Sequence, residues 1–288
     1  MQKQTIGFIG LGVMGKSMAR NMMKAGYPVI GYSRTKEKAA DLIEEGLEWA
    51  DTVDAVALKA KVIITMVGFP ADVEEVFLGN QGLINTAKAG SYLVDMTTSA
   101  PQLAKKLHEA GKEKGIHVLD APVSGGDIGA RNGSLTIMVG GAREDFEIIS
   151  PLLHTMGSNI IYQGEAGAGQ HTKLCNQIAI AGNMIGVCES LVYAKRAGLD
   201  PENVLKSISG GAAGSFSLTN LAPRILKGDF EPGFYIKHFI KDLKIVLEET
   251  ERLGLDFPGV SLAKSLYEEL EAEGLGEEGT QALYKHWK

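Results

Sequence analysis

The sequence has few of the features that mark secreted, membrane or nucleic-acid-binding proteins. Only two of its 288 residues are cysteine, and no run approaches the roughly 18 consecutive apolar residues typical of a membrane-spanning helix. The net charge of −6 argues against a nucleic-acid-binding surface. No Cys/His cluster has the spacing of metal ligands. We therefore expect no disulfide framework, no membrane span, no nucleic-acid partner and no metal.

The two cysteines also bear on the cellular compartment. Cys175 and Cys188 fall on one predicted helix, 13 residues apart, which is about 20 Å at the rise of an α-helix and too far for a disulfide. Unpaired thiols are typical of a reducing compartment, and both are expected to be small buried hydrophobes. Residues Met1–Gln4 lead into a strand without an apolar leader segment, so we expect no secretory signal and a cytoplasmic protein.

A glycine pattern lies where the first predicted strand meets a helix. An apolar run ends in Gly10-Leu11-Gly12-Val13-Met14-Gly15, a G-x-G-x-x-G motif. The first glycine permits a tight turn, the second lets backbone approach a pyrophosphate, and the third lets the helix pack closely on the strand. The phosphates then lie at a helix N-terminus, which favours anions. The motif predicts a dinucleotide site; a glycine-rich turn without a ligand is the alternative.

The order of the predicted elements indicates two domains. Up to about Gly164, apolar strands alternate with helices, which is typical of a doubly wound, mostly parallel sheet. After this point the chain is predicted as helices broken by Gly and Pro. We predict an α/β fold with a Rossmann domain over residues 1–164 and an all-helical domain over residues 165–288, with a ligand cleft between them. The predicted strands are Thr5–Ile9, Val29–Ser33, Val62–Val67, Tyr92–Met96, His117–Asp120, Leu135–Val139 and Asn159–Tyr162.

One long helix, from about Gly169 to Arg196, is predicted to open the second domain. Its apolar residues recur at spacings of four and three, which predicts a continuous seam. Later helices are predicted over Pro201–Ser207, Thr219–Leu226, Lys241–Leu253 and Gly259–Glu273. The seam residues are Leu174, Ile178, Ala181, Ile185, Cys188 and Val192, and the small residues that would permit close helix contacts are Ala179, Gly182 and Gly186.

The end of the second predicted strand bears on the cofactor. NAD-binding chains usually carry Asp or Glu about 20 residues after the glycines, to accept a hydrogen bond from a ribose hydroxyl. Here that position holds Ser33, followed by Arg34 and Thr35. A hydroxyl and a guanidinium would bind a 2′-phosphate, which a carboxylate would repel. The sequence therefore predicts NADP in preference to NAD; a solvated arginine at a helix start is the alternative.

Three further segments carry polar groups suited to a small anionic substrate. Residues Asp120–Gly126 form a turn that can offer a hydroxyl and consecutive backbone N–H groups to an anion. Lys173 and Asn176 share one face of the long helix near its start. Lys241 is predicted to begin a later helix, with Asp242 close to the helix N-terminus. Taken singly, these features also fit a structural turn, a solvated lysine and a solvated first turn.

In this order and at these distances, the segments resemble the β-hydroxyacid dehydrogenase family. Its members include 3-hydroxyisobutyrate dehydrogenase, tartronate semialdehyde reductase and the glyoxylate/succinic semialdehyde reductases, and the family is related to 6-phosphogluconate dehydrogenase. The likeness runs from Gly7 to about Pro258. It implies a Rossmann domain, a helical C-terminal domain and a homodimer or homotetramer.

The resemblance also implies a role for individual residues. Lys173 matches the catalytic lysine, Asn176 the residue that orients the substrate, and Lys241 a lysine near nicotinamide and substrate. Ser33-Arg34-Thr35 resembles the Asn-Arg-Thr sequence of the NADPH-using reductases, whereas Gly68-Phe69-Pro70 departs from the family's usual proline directly after the strand. The remaining matches are Ser124, Gly125 and Gly126 with the carboxylate-binding turn, Thr98 with a threonine near the nicotinamide ribose, and Val67 and Gly68 with a turn after the corresponding strand.

The activity that the resemblance implies is hydride transfer between nicotinamide and a small β-hydroxy acid or its semialdehyde or keto acid. The ammonium of Lys173 would stabilise charge on the carbonyl oxygen and supply a proton; for the reverse direction, burial and the charge of Lys241 would favour the neutral amine. His171 is expected at the surface or behind the site. The alternatives are an imine reductase-like enzyme, which typically lacks the lysine, a 6-phosphogluconate-type enzyme, which needs a larger helical domain, and a non-catalytic NADP-binding module.

Overall fold

A computed structural model describes residues 3–287 of the chain. The chain divides into two compact units, residues up to Lys173 (the first unit) and residues from Leu174 onward (the second unit). The first unit contains the sheet. Its strands are β1 (Ile6–Ile9), β2 (Val29–Tyr32), β3 (Glu48–Trp49), β4 (Val62–Thr65), β5 (Tyr92–Asp95), β6 (His117–Asp120), β7 (Val123–Ser124), β8 (Leu135–Gly140) and β9 (Gly157–Gly164).

The strand order is β3-β2-β1-β4-β5-β6-β8-β7, with β9 paired to β8. The pairs from β3 to β6 are parallel, whereas β8 runs antiparallel to β6 and β7. The carboxyl ends of β1, β2, β4, β5 and β6 therefore lie along one edge. The strand order reverses beside β1, and ligands of open α/β sheets bind at such a switch point.

Helices cover the sheet on both faces, because its central strands are apolar on both sides. All four residues of β1 and of β4 are buried, as expected for parallel strands. Successive side chains point to opposite faces, so Phe8 and Ile64 join one buried cluster while Ile9 and Ile63 join another. The helices of the first unit are α1 (Val13–Lys24), α2 (Ala40–Glu44), α3 (Val53–Lys59), α4 (Pro70–Leu78), α5 (Leu83–Thr86), α6 (Pro101–Glu113), α7 (Gly126–Asn132) and α8 (Arg143–Leu153).

A long helix, α9 (Ala168–Arg196), begins in the first unit and continues into the second. By length and composition alone, it is the one helix within residues 3–287 that is long and apolar enough to cross a membrane. In its most apolar stretch of 18 residues, 39% is buried inside the protein. A helix of a folded core meets the same criteria. The second unit continues with α10 (Pro201–Ile208), a π-helical turn (Ser217–Leu221), α11 (Ala222–Leu226), α12 (Ile236–Arg252), α13 (Pro258–Ala272) and a 3₁₀ segment (Thr280–Trp287).

The predicted α/β class with a mostly parallel sheet and a helical C-terminal part is confirmed. Each of the seven predicted strands is present, with ends that differ by two residues or fewer. The sequence reading missed β3 and β7, because two-residue strands are too short to show a hydrophobic period.

Three details of the helical region correct the sequence reading. The buried face of α9 carries Gln177, Met184 and Leu191, so the predicted seam positions Ile178, Ile185 and Val192 are only half-buried. Cys175 is exposed, whereas Cys188 is buried as expected. Helix α12 begins five residues before the predicted start at Lys241, because its first turn buries Ile236 and Phe239.

Candidate active site

The glycine motif forms the turn between β1 and α1. Gly10 has a φ of +97°, and a Cβ at this position would lie 2.1 Å from the Met66 carbonyl oxygen. A Cβ at Gly15 would lie 1.9 Å from the Gly10 carbonyl oxygen, whereas a Cβ at Gly12 would meet nothing within 4 Å. Backbone contacts thus require the first and third glycines, and the second leaves open space beside the N-terminus of α1. This arrangement fits a pyrophosphate lying against the helix N-terminus.

Residues 33–35 follow β2, which neighbours β1 in the sheet. Ser33 is half-buried, and Thr35 is exposed. The Arg34 side chain is 77% exposed, and its Nη1 lies 3.0 Å from Oδ1 of Asp72. The other carboxylate oxygen of Asp72 accepts a hydrogen bond from the Phe69 N–H at the start of α4. Arg34 is therefore a solvent-accessible cation beside the loop that follows β4.

A buried carboxyl group, Asp95, connects the ends of β4 and β5. Its Oδ1 accepts hydrogen bonds from the Thr65 hydroxyl at 2.8 Å and from the Thr97 N–H at 3.1 Å. The Thr97 hydroxyl in turn accepts a hydrogen bond from the Val67 N–H at 3.0 Å. These bonds fix the loops that contain three predicted cofactor-binding residues, namely Val67, Gly68 and Thr98.

Burial raises the pKa of Asp95 from 3.8 to about 6, against hydrogen bonds from Thr65 and Thr97 that lower it. A carboxyl whose pKa is higher in the folded chain binds its proton more tightly when folded. Its contribution to the free energy of unfolding is therefore lost as the pH rises from about 4 to about 6, by about 3 kcal/mol in total.

The Asp95→Asn variant is expected to lose this part of the pH dependence. Between about pH 4 and pH 7, its free energy of unfolding should rise relative to that of the wild type by about 3 kcal/mol. Urea unfolding at several pH values measures the difference, and the exposed Asp256→Asn change is the control. Parallel pH profiles for the wild type and Asp95→Asn would contradict the assignment of this titration to Asp95.

A second buried carboxyl group, Asp120, binds the start of α9. Its Oδ1 accepts from the Gly167 N–H at 2.7 Å, and its Oδ2 accepts from the Gln170 N–H at 2.8 Å. Burial raises the pKa of Asp120, although these two backbone bonds lower it. A Cβ at Gly169 would lie 2.3 Å from the Met138 carbonyl oxygen, so the helix approaches the sheet as closely as glycine allows.

Lys173 follows in the next turn of α9, and its exposed fraction is only 7%. Most lysines in proteins are exposed, so this burial distinguishes Lys173 from the surface lysines of the chain. The contacts of Asp120 place the first turn of α9 at the carboxyl end of β6. Lys173 is therefore attached to the same edge of the sheet as the glycine motif.

His171, which precedes Lys173 by two residues, is half-buried, and its charge lowers the pKa of Asp120.

The predicted carboxylate-binding turn also starts from the end of β6. Ser124 lies in β7 and pairs with Thr136 of β8. Gly125 and Gly126 have φ values of +127° and +62°, which side chains rarely adopt. The two glycines turn the chain directly into α7.

Two predicted site residues, Asn176 and Lys241, belong to the second unit. The Asn176 side-chain amide donates to Oε1 of Gln177 at 2.7 Å, and Nε2 of Gln177 donates to Oδ2 of Asp242 at 2.6 Å. Nζ of Lys241 lies 2.8 Å from Oδ1 of Asp242. Gln177 and Asp242 are each 1% exposed. Within this unit, a buried polar chain therefore connects the two predicted residues.

Asp242 thus differs from the expected solvated residue in the first turn of a helix, because α12 begins earlier and buries it. One turn before Lys241, burial lowers the pKa of His238, and the positive charges of Lys241 and Lys237 lower it further. The neutral form of His238 is therefore favoured at neutral pH.

The predicted residues of the first unit share one edge of the sheet, since each follows the carboxyl end of a parallel strand or lies in the turn of α9 bound there. Sequence reasoning missed the residues that hold them, Asp95 and Gln170, and gave no role to Asp120. One signal was available, because a carboxylate ends each of the two apolar strands β5 and β6. Within residues 3–287, no group of three or more His, Cys, Asp or Glu side chains could hold a metal ion.

Two family models match the chain. The NAD-binding domain of 6-phosphogluconate dehydrogenase matches residues 5–164, and the NAD-binding domain of NADP-dependent 3-hydroxyisobutyrate dehydrogenase matches residues 167–287. The chain belongs to the β-hydroxyacid dehydrogenase family. As a member of this family, it is an NAD(P)-dependent oxidoreductase that uses a nicotinamide cofactor, and the open cradle at Gly12 fits such a dinucleotide.

Individual relatives of this β-hydroxyacid dehydrogenase agree with the family models. The uncharacterized oxidoreductase YkwC of Bacillus subtilis is 63% identical over 285 residues, which is 99% of each chain. The 2-hydroxy-3-oxopropionate reductase of Escherichia coli is 38% identical and covers 93% of this chain and 92% of its own. A solved structure, Psf3 in complex with NADP⁺ and 2-OPP, has a TM-score of 0.91 at 28% identity over 98% of this chain and 100% of the other.

Proposed function

We propose that this β-hydroxyacid dehydrogenase is NADP-dependent and interconverts a small β-hydroxy acid with its semialdehyde or keto acid, with Lys173 as general acid and base. The observation that carries the proposal is the burial of this lysine, which is 7% exposed in a helix whose first turn is hydrogen-bonded to Asp120 at the edge of the sheet. A positioned amine that is shielded from bulk water is suited to proton transfer.

The cofactor preference rests on charge. Arg34 presents an exposed guanidinium directly after β2, with the hydroxyls of Ser33 and Thr35 on either side. These groups suit a 2′-phosphate, and NAD-specific proteins usually have a carboxylate at the position of Ser33. A related structure was solved with NADP⁺. We therefore favour NADP, with NAD as a weaker cofactor.

In this proposal, the remaining predicted residues bind and orient the cofactor and the substrate. When bound, the nicotinamide cofactor supplies or accepts the hydride. The Ser124 hydroxyl and the N–H groups of Gly125 and Gly126 hold the substrate carboxylate. Thr98 contacts the nicotinamide ribose, and Val67 and Gly68 border the cofactor; Gly10 to Gly15 hold the pyrophosphate.

Lys173 Nζ donates a proton to the substrate oxygen in reduction and accepts one in oxidation. As an ammonium group it also stabilises negative charge that grows on that oxygen. Asn176 orients the substrate hydroxyl, and Lys241 adds a second positive charge for the anionic substrate. The presence of the complete set Ser124, Lys173, Asn176 and Lys241 favours this enzyme over a non-catalytic NADP-binding module. Lys173 itself argues against an imine reductase.

The test is to measure the oxidation of NADPH and of NADH in the presence of small aldehyde acids, monitored through the absorbance of the reduced cofactor. Glyoxylate, succinic semialdehyde and 2-hydroxy-3-oxopropionate are the first substrates, and butanal, which lacks the carboxylate, is the matched control for succinic semialdehyde. We expect turnover with at least one acid, a higher kcat/KM with NADPH than with NADH, and little turnover of butanal. Binding of NADPH without turnover of any aldehyde acid would favour the non-catalytic module.

We also propose that the enzyme is a cytoplasmic homodimer or homotetramer without a nucleic-acid or membrane partner. Cys175, Ala179, Gly182 and Gly186 are exposed along α9, and small side chains at this spacing permit close helix packing. Both cysteines are free thiols, as is typical of a reducing compartment. Analytical ultracentrifugation tests the oligomeric state, and a monomer at micromolar concentration would contradict the proposed homodimer or homotetramer. Cell fractionation tests the cytoplasmic location.

A further inference from the structure

Gln170 is a fully buried glutamine, with an exposed fraction of 0%, whose side chain reaches the loop after β5. Its Nε2 donates to the Thr97 carbonyl oxygen at 2.8 Å, and its Oε1 accepts from the Ser99 N–H at 2.9 Å. One amide group thus holds the backbone on both sides of Thr98. A carboxamide offers a donor and an acceptor at this spacing, and among the other side chains a protonated carboxylic acid can do the same.

The backbone of the same residue is held from the opposite side. The Gln170 N–H donates to Oδ2 of Asp120 at 2.8 Å, and the neighbouring Gly169 packs against the backbone of β8. Lys173 lies three residues further along α9 and therefore on the same face of the helix. Gln170 thus connects the end of β6, the loop that carries Thr98 and the helical turn that leads to Lys173.

We propose that Gln170 is a positioning residue, which sets Thr98 in a fixed relation to the turn of α9 that carries Lys173. This inference rests on the proposed function, in which Thr98 contacts the nicotinamide ribose and Lys173 transfers the proton. Misplacing a reacting group by about 1 Å can cost 10²-fold in rate. The side-chain amide of Gln170 therefore contributes to kcat without touching substrate or cofactor.

The first experiment measures the hydrogen bond directly. In the wild-type protein, the Ser99 amide proton should exchange with solvent more slowly than its intrinsic rate by several orders of magnitude, because it is buried and bonded. In Gln170→Met, which keeps the length of the side chain but removes the amide, exchange at Ser99 should become at least tenfold faster. Exchange in β2, which lies elsewhere in the sheet, should stay unchanged.

The second experiment uses a variant that restores the hydrogen bonds only when protonated. In Gln170→Glu, the protonated carboxylic acid can still donate to the Thr97 oxygen. The carboxylate has no proton to donate to that oxygen, and it adds a negative charge to the residue whose N–H binds Asp120. We expect kcat close to that of the wild type on the acid side, falling by about 10-fold to 10²-fold as the pH rises. The other ionisable groups near position 170 are Asp95, Asp120, His171 and Lys173, and the wild-type profile, which contains all four, is the reference.

The matched control is Thr172→Val. The Thr172 hydroxyl donates to the Ala168 carbonyl within the same helical turn, so this change perturbs the start of α9 without touching the loop. It should leave the Ser99 exchange rate and the shape of the pH profile as in the wild type.

Kinetics of Gln170→Met give a further readout. A loss of kcat while the affinity for NADPH changes less than threefold also supports a positioning role.

Each outcome decides for or against the role of Gln170. Fast exchange at Ser99 in the wild type, or wild-type kcat in Gln170→Met, or a constant ratio of the Gln170→Glu and wild-type profiles, overturns the proposal. If Gln170→Met does not fold, the wild-type exchange rate and the glutamate variant still decide. A wild-type protein that turns over no aldehyde acid refutes the proposed function alone, since the exchange measurement does not need turnover.

Discussion

Replacing Lys173 with alanine is expected to lower kcat by about 10²-fold to 10⁴-fold, while the Kd for NADPH changes little. The range is the usual contribution of a positioned acid or base. The cofactor-binding segments at Gly10–Gly15 and Ser33–Thr35 remain intact in this variant, because Asp120 binds the turn of α9 through backbone N–H groups. Steady-state kinetics with the best aldehyde acid, together with quenching of NADPH fluorescence, measure both quantities.

The control for this experiment is Lys195→Ala, at the far end of α9, where the side chain is exposed and its Nζ lies over the Tyr284 ring. This variant should keep the kcat of the wild type. Thermal unfolding of both variants shows whether each remains folded. A Lys173→Ala enzyme that turns over substrate at more than about a tenth of the wild-type rate would remove the lysine from the mechanism.

Replacing Arg34 with aspartate is expected to raise the Kd for NADPH by about 10²-fold and the Kd for NADH by no more than a few-fold. The change removes a guanidinium that can bind the 2′-phosphate, at about 1.5–3 kcal/mol for charged hydrogen bonds, and adds a repulsive charge. NADH has no 2′-phosphate, so the lost attraction and the added repulsion act on NADPH far more than on NADH. Titration of each cofactor by fluorescence measures the two dissociation constants.

The variant Arg34→Gln separates loss of attraction from added repulsion, and we expect an intermediate Kd for NADPH. Arg143→Asp is the control for a change of two charges, because Arg143 is an exposed arginine of α8 that pairs with Glu147. It should leave both dissociation constants close to those of the wild type. Equal weakening of NADPH and NADH by Arg34→Asp would refute the assignment of Arg34 to the 2′-phosphate.

The fold class was predictable because the strands of the first unit carry a local signal. β1 and β4 are short, continuous apolar runs, and strands buried on both faces need this composition. The backbone roles of Gly10 and Gly15 were predictable for a similar reason. Gly15 approaches the Gly10 carbonyl oxygen within a single strand–turn–helix unit, and the positive φ of Gly10 belongs to the same turn. The approach of Gly10 to the Met66 carbonyl oxygen, in contrast, depends on a loop 56 residues later in the chain.

The residues that hold the site were not predictable in the same way. Gln170 bonds to Thr97 and Ser99, more than 70 residues earlier in the chain, and nothing in the local pattern indicates this pairing. Gln177 is not among the predicted seam residues, yet it is buried against Asp242, 65 residues later. In both cases the partner that offsets the cost of burying an amide comes from another element.

The order of residue types along the chain determined the strands, the glycine turn and the family, since these depend on neighbours within one supersecondary unit and on motifs at fixed separations. Only the tertiary structure decided that Lys173 is buried, that Asp95 and Asp120 hold the strand ends, and that Gln170 connects two loops. The physical reason is that burial and hydrogen-bond pairing belong to partners brought together by packing, and a linear pattern contains no record of which distant groups will meet.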